Sequence, residues 1–162
     1  NLLAVSRTAI GNQPEYFASL ISATGKRRPA SQSIVAEGHG VVSLHAADKP
    51  GHWQLVFNLD ENWHINAWEV LDKRLIATQV LESGKVRSVH YPAGTQIDTE
   101  FSEQPLNVYS KRVNIEISTE SQLRYLPLVV RYQACSDQVC LLPEQLTLTG
   151  FDDPDPEPGS QD

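Results

Sequence analysis

Leu126-Pro127-Leu128-Val129-Val130-Arg131-Tyr132-Gln133-Ala134-Cys135-Ser136-Asp137-Gln138-Val139-Cys140-Leu141-Leu142 is the stretch on which the fold turns. Leu126, Leu128, Val130, Tyr132 and Ala134 share one face of an extended chain. Val129, Arg131, Gln133 and Cys135 share the other, so the segment Leu126–Ala134 reads as a strand. Four residues separate Cys135 from Cys140, a length suited to a hairpin loop, and Leu141-Leu142 resumes the pattern. The two cysteines then face each other across the ribbon. Opposed residues there lie about 4.5–5.5 Å apart between Cα atoms, within reach of a disulfide. Such a pair can open and close without moving the fold.

Outward from this ribbon the same period recurs. Trp53, Leu55, Phe57 and Leu59 alternate with Gln54, Val56 and Asn58, and Val113, Ile115 and Ile117 with Asn114, Glu116 and Ser118. Shorter runs lie at Val41–Ala46, Leu75–Leu81, Val86–His90 and Leu146–Thr149. Turn residues separate them at Asp60-Glu61-Asn62, Ser83-Gly84 and Pro92-Ala93-Gly94. Short strands at this spacing predict an all-β antiparallel sandwich over 31–150. No alternating helix pattern supports a parallel sheet.

The first thirty residues differ. Asn12-Gln13-Pro14-Glu15 reads as a helix start, Tyr16, Phe17, Leu20, Ile21 and Thr24 fall on one helical face, and Gly25 is a stop. This predicts a short helical segment over 1–30, either an appendage or the end of an upstream domain. The chain begins at Asn1 and contains no Met, and it reads as an excised domain or mature fragment. Residues 151–162, acidic, Pro-rich and poor in apolar side chains, read as a disordered tail.

Composition narrows the function classes. The net charge of −7 is concentrated in that tail, which holds five of the twenty acids and no base; the body carries 13 basic against 15 acidic residues. No basic stripe is available to track a phosphate backbone, which argues against nucleic acid as a partner. No apolar run is long enough for a membrane span. Apolar residues make up 40% of the chain, enough for a core without cross-links. Closing a loop of about six residues stabilises by only roughly 2 kcal/mol, so stapling is a weak reason for the cysteines.

The residues alone leave three uses for the pair open: redox exchange, a local structural brace in a non-catalytic interaction domain, and a two-cysteine ligand hairpin for zinc. Zinc would need two further ligands from His39, His45, His52, His64 and His90, which are scattered. A cysteine hydrolase would need a His at a telling spacing, and none is offered. Asp137 and Glu144 are the negative charges near the hairpin, Arg131 lies four residues before Cys135, and no helix N-terminus is evident, so free thiols here should be sluggish. His64 and Asn66 alternate with Trp63 and Ile65; they are either turned outward on a half-buried strand or lining of the cysteine pocket. Phe101, isolated in Asp98-Thr99-Glu100-Phe101-Ser102-Glu103, is either a loop anchor or a lid. Trp53 and Trp68 read as core or rim, and Tyr109 as the start of the strand that includes Lys111-Arg112.

Tyr132-Gln133-Ala134-Cys135 through Val139-Cys140-Leu141-Leu142-Pro143-Glu144 resembles the cysteine hairpin of the N-terminal periplasmic domain of the thiol:disulfide interchange protein DsbD. Asn62-Trp63-His64-Ile65-Asn66-Ala67, Tyr91-Pro92-Ala93-Gly94 and Glu100-Phe101 follow in the family's order, and the likeness spans roughly 38–150. The resemblance implies an immunoglobulin-like sandwich in a periplasmic or other extracytoplasmic compartment. It implies thiol–disulfide exchange with a thioredoxin-like protein or domain and with periplasmic thiol–disulfide proteins, with no metal or organic cofactor. By position, Cys140 would form the mixed disulfide and Cys135 would resolve it. Glu100 and Phe101 would form the tip of a cap loop over the disulfide, and the strand of His64 and Asn66 would line the pocket. Two features depart from the family's pattern: the cysteine loop is one residue shorter than in the best-known members, and Thr99 replaces an acid.

Overall fold

The period-two segments fold into antiparallel strands whose apolar faces meet in one core. The computed structural model describes residues 31–81 and 84–152. The helical reading of 1–30 and all but the first two residues of the tail read as disordered over 151–162 lie outside the described residues; Phe151 is strand. In chain order the strands are β1 (Ser31–Val35), β2 (Gly40–Ala46), β3 (His52–Leu59), β4 (His64–Asn66), β5 (Gln79–Leu81) and β6 (Ser88–His90). They continue with β7 (Thr95–Ile97), β8 (Leu106–Ser110), β9 (Arg112–Ser118), β10 (Tyr125–Tyr132), β11 (Ala134–Cys135) and β12 (Glu144–Phe151). Among the described residues no helix is long and apolar enough to cross a membrane.

One layer is the sheet β1-β2-β3-β9-β6. Its inward residues line up in cross-strand rows: Val42, Phe57 and Val113; Leu44, Leu55 and Ile115; Ala46, Trp53, Ile117 and Val89. Facing it are the sheets β12-β10-β5 and β11-β4-β8-β7. Leu126, Leu128, Val130 and Tyr132 of β10 turn inward with Leu148 of β12 and Val80 of β5, all in the same buried cluster as Ile65, Tyr109 and Ala134. Phe57 and Tyr132 meet edge to face between the layers, ring centroids 5.7 Å apart. Each fully buried side chain of this size contributes about 1.5–3 kcal/mol over its exposed state. The layers approach closely at Gly150, where an added Cβ would lie 2.8 Å from the Trp53 ring.

The period-two reading needs three adjustments. The strand read as Leu126–Ala134 is broken at Gln133: β10 pairs with β12 and β5, whereas β11 pairs with β4. The chain changes sheets there, carrying the cysteines away from the strand that the apolar pattern announces. Tyr109 lies in β8 rather than opening the next strand. Lys111, at a φ of 63°, sends the chain into the other layer, and β9 begins at Arg112. Of the run Leu75–Leu81 only Gln79–Leu81 is strand. Its first half instead crosses over β4 and β11, where Ile76 and Thr78 hydrogen bond to Asn66 and Gln133. At the C-terminal end β12 runs through Phe151, and the Asp152 amide donates to the Arg124 carbonyl at 3.0 Å.

Candidate redox site

Cys135 and Cys140 form a disulfide, with S–S 2.08 Å and Cα–Cα 4.0 Å. Hydrogen bonds lie on either side of the pair: the Leu141 amide donates to the Ala134 carbonyl and the Ser136 amide to the Val139 carbonyl, both at 2.8 Å. Cys135 and Cys140 therefore occupy a non-hydrogen-bonded position of the ladder, where side chains come closest. Asp137-Gln138 make the turn. Ser136 Oγ accepts from the Gln138 and Val139 amides, each at 3.2 Å, and so replaces a backbone partner at the tip. The two cysteines differ in exposure. Cys135 is fully buried, while Cys140 is part-exposed beside Val139 and Leu142, which are 52% and 85% exposed.

The hairpin is held by Gln133. Its Oε1 accepts from the Ile76 amide at 2.9 Å and from Asn66 Nδ2 at 3.3 Å, and its Nε2 donates to the Leu141 carbonyl at 3.1 Å. Its carbonyl accepts from the Asn66 amide at 3.2 Å. One amide side chain thus links both arms of the cysteine ribbon to β4 and to the crossing segment at Ile76. Nothing in the sequence singled it out beyond its place on the same strand face as Cys135.

His64 and Asn66 are not turned outward to solvent; they are 3% and 1% exposed. The polar face of β4 is buried because β11 pairs beside it and the 76–78 segment lies across it. Asn66 satisfies its amide nitrogen with Gln133 and the Ile76 carbonyl at 2.9 Å. His64 stands directly opposite Cys135 in the ladder, and Cys135 opposite Cys140. Paired residues of antiparallel strands project to the same side, so His64, Cys135 and Cys140 form one row across three strands. Burial lowers the imidazole pKa below its usual value, partly countered by the negative charge of Asp137. The carboxylate of Glu144, the other acid near the hairpin in sequence, takes the Tyr132 hydroxyl hydrogen bond.

Glu100 and Phe101 lie in the connection between β7 and β8. The Glu100 amide donates to the Asp137 carbonyl at 3.4 Å, which brings this loop onto the tip of the cysteine turn. Phe101, 36% exposed, lines a groove of about 570 Å³ with Leu71, Asp72 and Arg74 opposite. That far wall is stiffened by a fork in which Arg74 grips the Asp72 carboxylate at 2.6 and 3.0 Å. The base of the loop is anchored separately: Gly94 packs so closely on Asn107 and Ala67 that an added Cβ would lie 2.5 and 2.7 Å from them. Tyr109 Oη donates to the Pro92 carbonyl beside it at 2.8 Å. Of the tryptophans, Trp53 is core and Trp68 is rim, stacked on Tyr91 at 5.4 Å. Among the described residues no three His, Cys, Asp or Glu side chains cluster as metal ligands.

Residues 31–151 match the family model described as thiol:disulfide interchange protein DsbD, N-terminal. The chain belongs to this DsbD N-terminal family. Its fold is the family's immunoglobulin-like β-sandwich, with a disulfide on a hairpin of one sheet. Among solved structures, the DsbD N-terminal domain of Neisseria meningitidis in its reduced form matches with a TM-score of 0.53 at 17% identity, covering 73% of this chain and 89% of that one. The same TM-score is found for the complex between the DsbD and PilB N-terminal domains of that organism, at 16% identity, with 75% and 92% covered. The N-terminal periplasmic domain of ScsB from Proteus mirabilis gives 0.52 at 17% identity, with 74% of this chain and 51% of that chain covered. No curated protein sequence matches significantly.

Proposed function

We propose that the chain is a periplasmic thiol–disulfide exchange module that passes reducing equivalents between a thioredoxin-like partner and other proteins through Cys135 and Cys140. A thiolate of the partner attacks Cys140 Sγ, a mixed disulfide forms, and the Cys135–Cys140 bond breaks with its electron pair on Cys135. The partner's second thiol then displaces Cys140, leaving a dithiol here and a disulfide on the partner. In the onward transfer Cys140 attacks the recipient's disulfide and Cys135 displaces the recipient's sulfur. Glu100 and Phe101 act as the cap that a cognate partner moves aside. No organic cofactor or metal takes part, because the two sulfurs carry both electrons.

The observation that carries this reading is the unequal exposure of the two cysteines, Cys135 buried and Cys140 part-exposed. Attack at a disulfide depends on which sulfur a thiolate can reach, and Cys140 is the cysteine of the pair with exposed surface. Its exposed apolar neighbours Val139 and Leu142 suit a partner that surrounds its own thiol with apolar surface. The test is trapping: a Cys135→Ala variant should hold a mixed disulfide through Cys140 with a thioredoxin-fold protein, and a Cys140→Ala variant should not. A redox potential below about −300 mV, together with no trapping, would reduce the disulfide to a brace.

A further inference from the structure

The resolving half of this reaction meets a difficulty inside the protein. Cys135 is fully buried; the charged residues nearest it in sequence are Asp137 at the turn and Arg131, whose guanidinium donates to Gln79 Oε1 on β5. A thiol in such surroundings holds its proton, whereas the thiolate is the nucleophile. The proton needs an acceptor within the fold.

We propose that His64 is the general base that takes the Cys135 proton when that sulfur resolves a mixed disulfide on Cys140. The inference rests on the exchange reading above. Three observations support it. His64 is the cross-strand partner of Cys135, on the face that also carries Cys140. Its ring is buried, yet its Nε2 has no hydrogen-bond partner among the described residues. Such an atom costs stability in a purely structural role, since buried polar groups are ordinarily paired. Finally, burial keeps the imidazole neutral near pH 7, the form that can accept a proton.

The step balances within the complex. The Cys135 S–H proton passes to His64, and the Cys135 sulfur attacks Cys140 Sγ. The bond between Cys140 and the outgoing sulfur breaks with its electron pair on the latter, which takes up a proton from the imidazolium or from water. The charge acting on His64 is that of Asp137 at the hairpin turn. Strand β8 sets the neutral Ser110 opposite it, β11 sets Cys135, and Glu100 of the cap loop reaches the turn through its backbone.

The test uses the reduced protein and the aromatic disulfide 5,5′-dithiobis(2-nitrobenzoate). Attack by Cys140 releases one coloured thiolate, and resolution by Cys135 releases a second. In a His64→Gln variant the ratio of second-phase to first-phase rate constants should fall by about 100-fold, the lower range for loss of a general base. The pH at which the second phase is half-maximal should rise toward that of an ordinary thiol. An Asp137→Asn variant, altered at an exposed position, should move that midpoint to lower pH, because it removes the charge that raises the imidazole pKa. An unchanged ratio in the first variant, an equal loss in both phases, or an unmoved midpoint in the second would each overturn the proposal. Absence of a second release from the unaltered protein would instead overturn the exchange reading itself.

Discussion

The Glu100 amide and the Asp137 carbonyl meet at 3.4 Å, joining a loop between β7 and β8 to the tip of the cysteine turn 37 residues further along the chain. The contact is at the long end of hydrogen-bond geometry and exposed, so it contributes no more than about 1 kcal/mol. A contact of that strength is weak enough to be broken by a docking protein, as the proposed cap role requires. Glu100→Pro removes the donor, and Phe101→Ala removes the ring beside it. Either variant should be reduced by dithiothreitol faster than the unaltered protein, by up to about fivefold. Equal rates would show that the loop does not guard the disulfide.

Gln133 should be the most sensitive polar position around the hairpin. Gln133→Ala strands the part-buried Ile76 amide and Leu141 carbonyl and part of the buried Asn66 side chain. Leaving such groups unpaired costs about 1–3 kcal/mol each where no water enters, so a total loss of about 2–4 kcal/mol is expected in urea unfolding of the oxidised protein. Gln133→Glu keeps an acceptor for Ile76 but loses the donor to Leu141 and buries a charge, and it should be no better tolerated.

Gly150→Val should destabilise by about 1–3 kcal/mol, the usual range for overpacking a filled core. The new side chain would enter the space of the Trp53 ring, which is itself held by a 2.9 Å bond from its indole N–H to Thr119 Oγ1. Thermal unfolding followed by tryptophan fluorescence reads both the loss of stability and the displacement of the indole.

Stability should fall on mild acidification in a way that His64 governs. Its folded pKa lies below the unfolded value of about 6.5, so between those two values the unfolded chain binds more protons. Above about pH 6.5 the group has no effect. As pH drops below that value stability declines, and the decline ends once pH passes the lowered folded pKa. His45, lowered by burial and by Arg112, adds in the same direction. Urea midpoints measured from pH 7.5 to 5 should show this slope, and His64→Gln should flatten part of it.

The reduced thiols should be slow. With Asp137 at the turn and no cation beside it along the hairpin, the Cys140 thiol should be alkylated by iodoacetamide with a half-maximal rate at or above the ordinary thiol value of about 8.5. A midpoint well below pH 7.5 would show activation that the surroundings do not account for.

What the amino-acid order determined is local: which face of Leu126–Tyr132 is apolar, where Trp53, Leu55 and Phe57 point, and that Cys135 and Cys140 meet across a short turn. Those properties follow from a period of two and from loop length, both carried by neighbouring residues. The likeness of Tyr132–Glu144 to a known hairpin likewise reads from a contiguous stretch. The tertiary structure alone decided that the strand bends at Gln133 into another sheet, that His64 stands beside Cys135, and that Cys135 is buried while Cys140 is part-exposed. Each depends on partners dozens of residues away. An alternating pattern records that a face will be buried, but not which strand or crossing segment will cover it, and the chemistry of this hairpin is set by that cover.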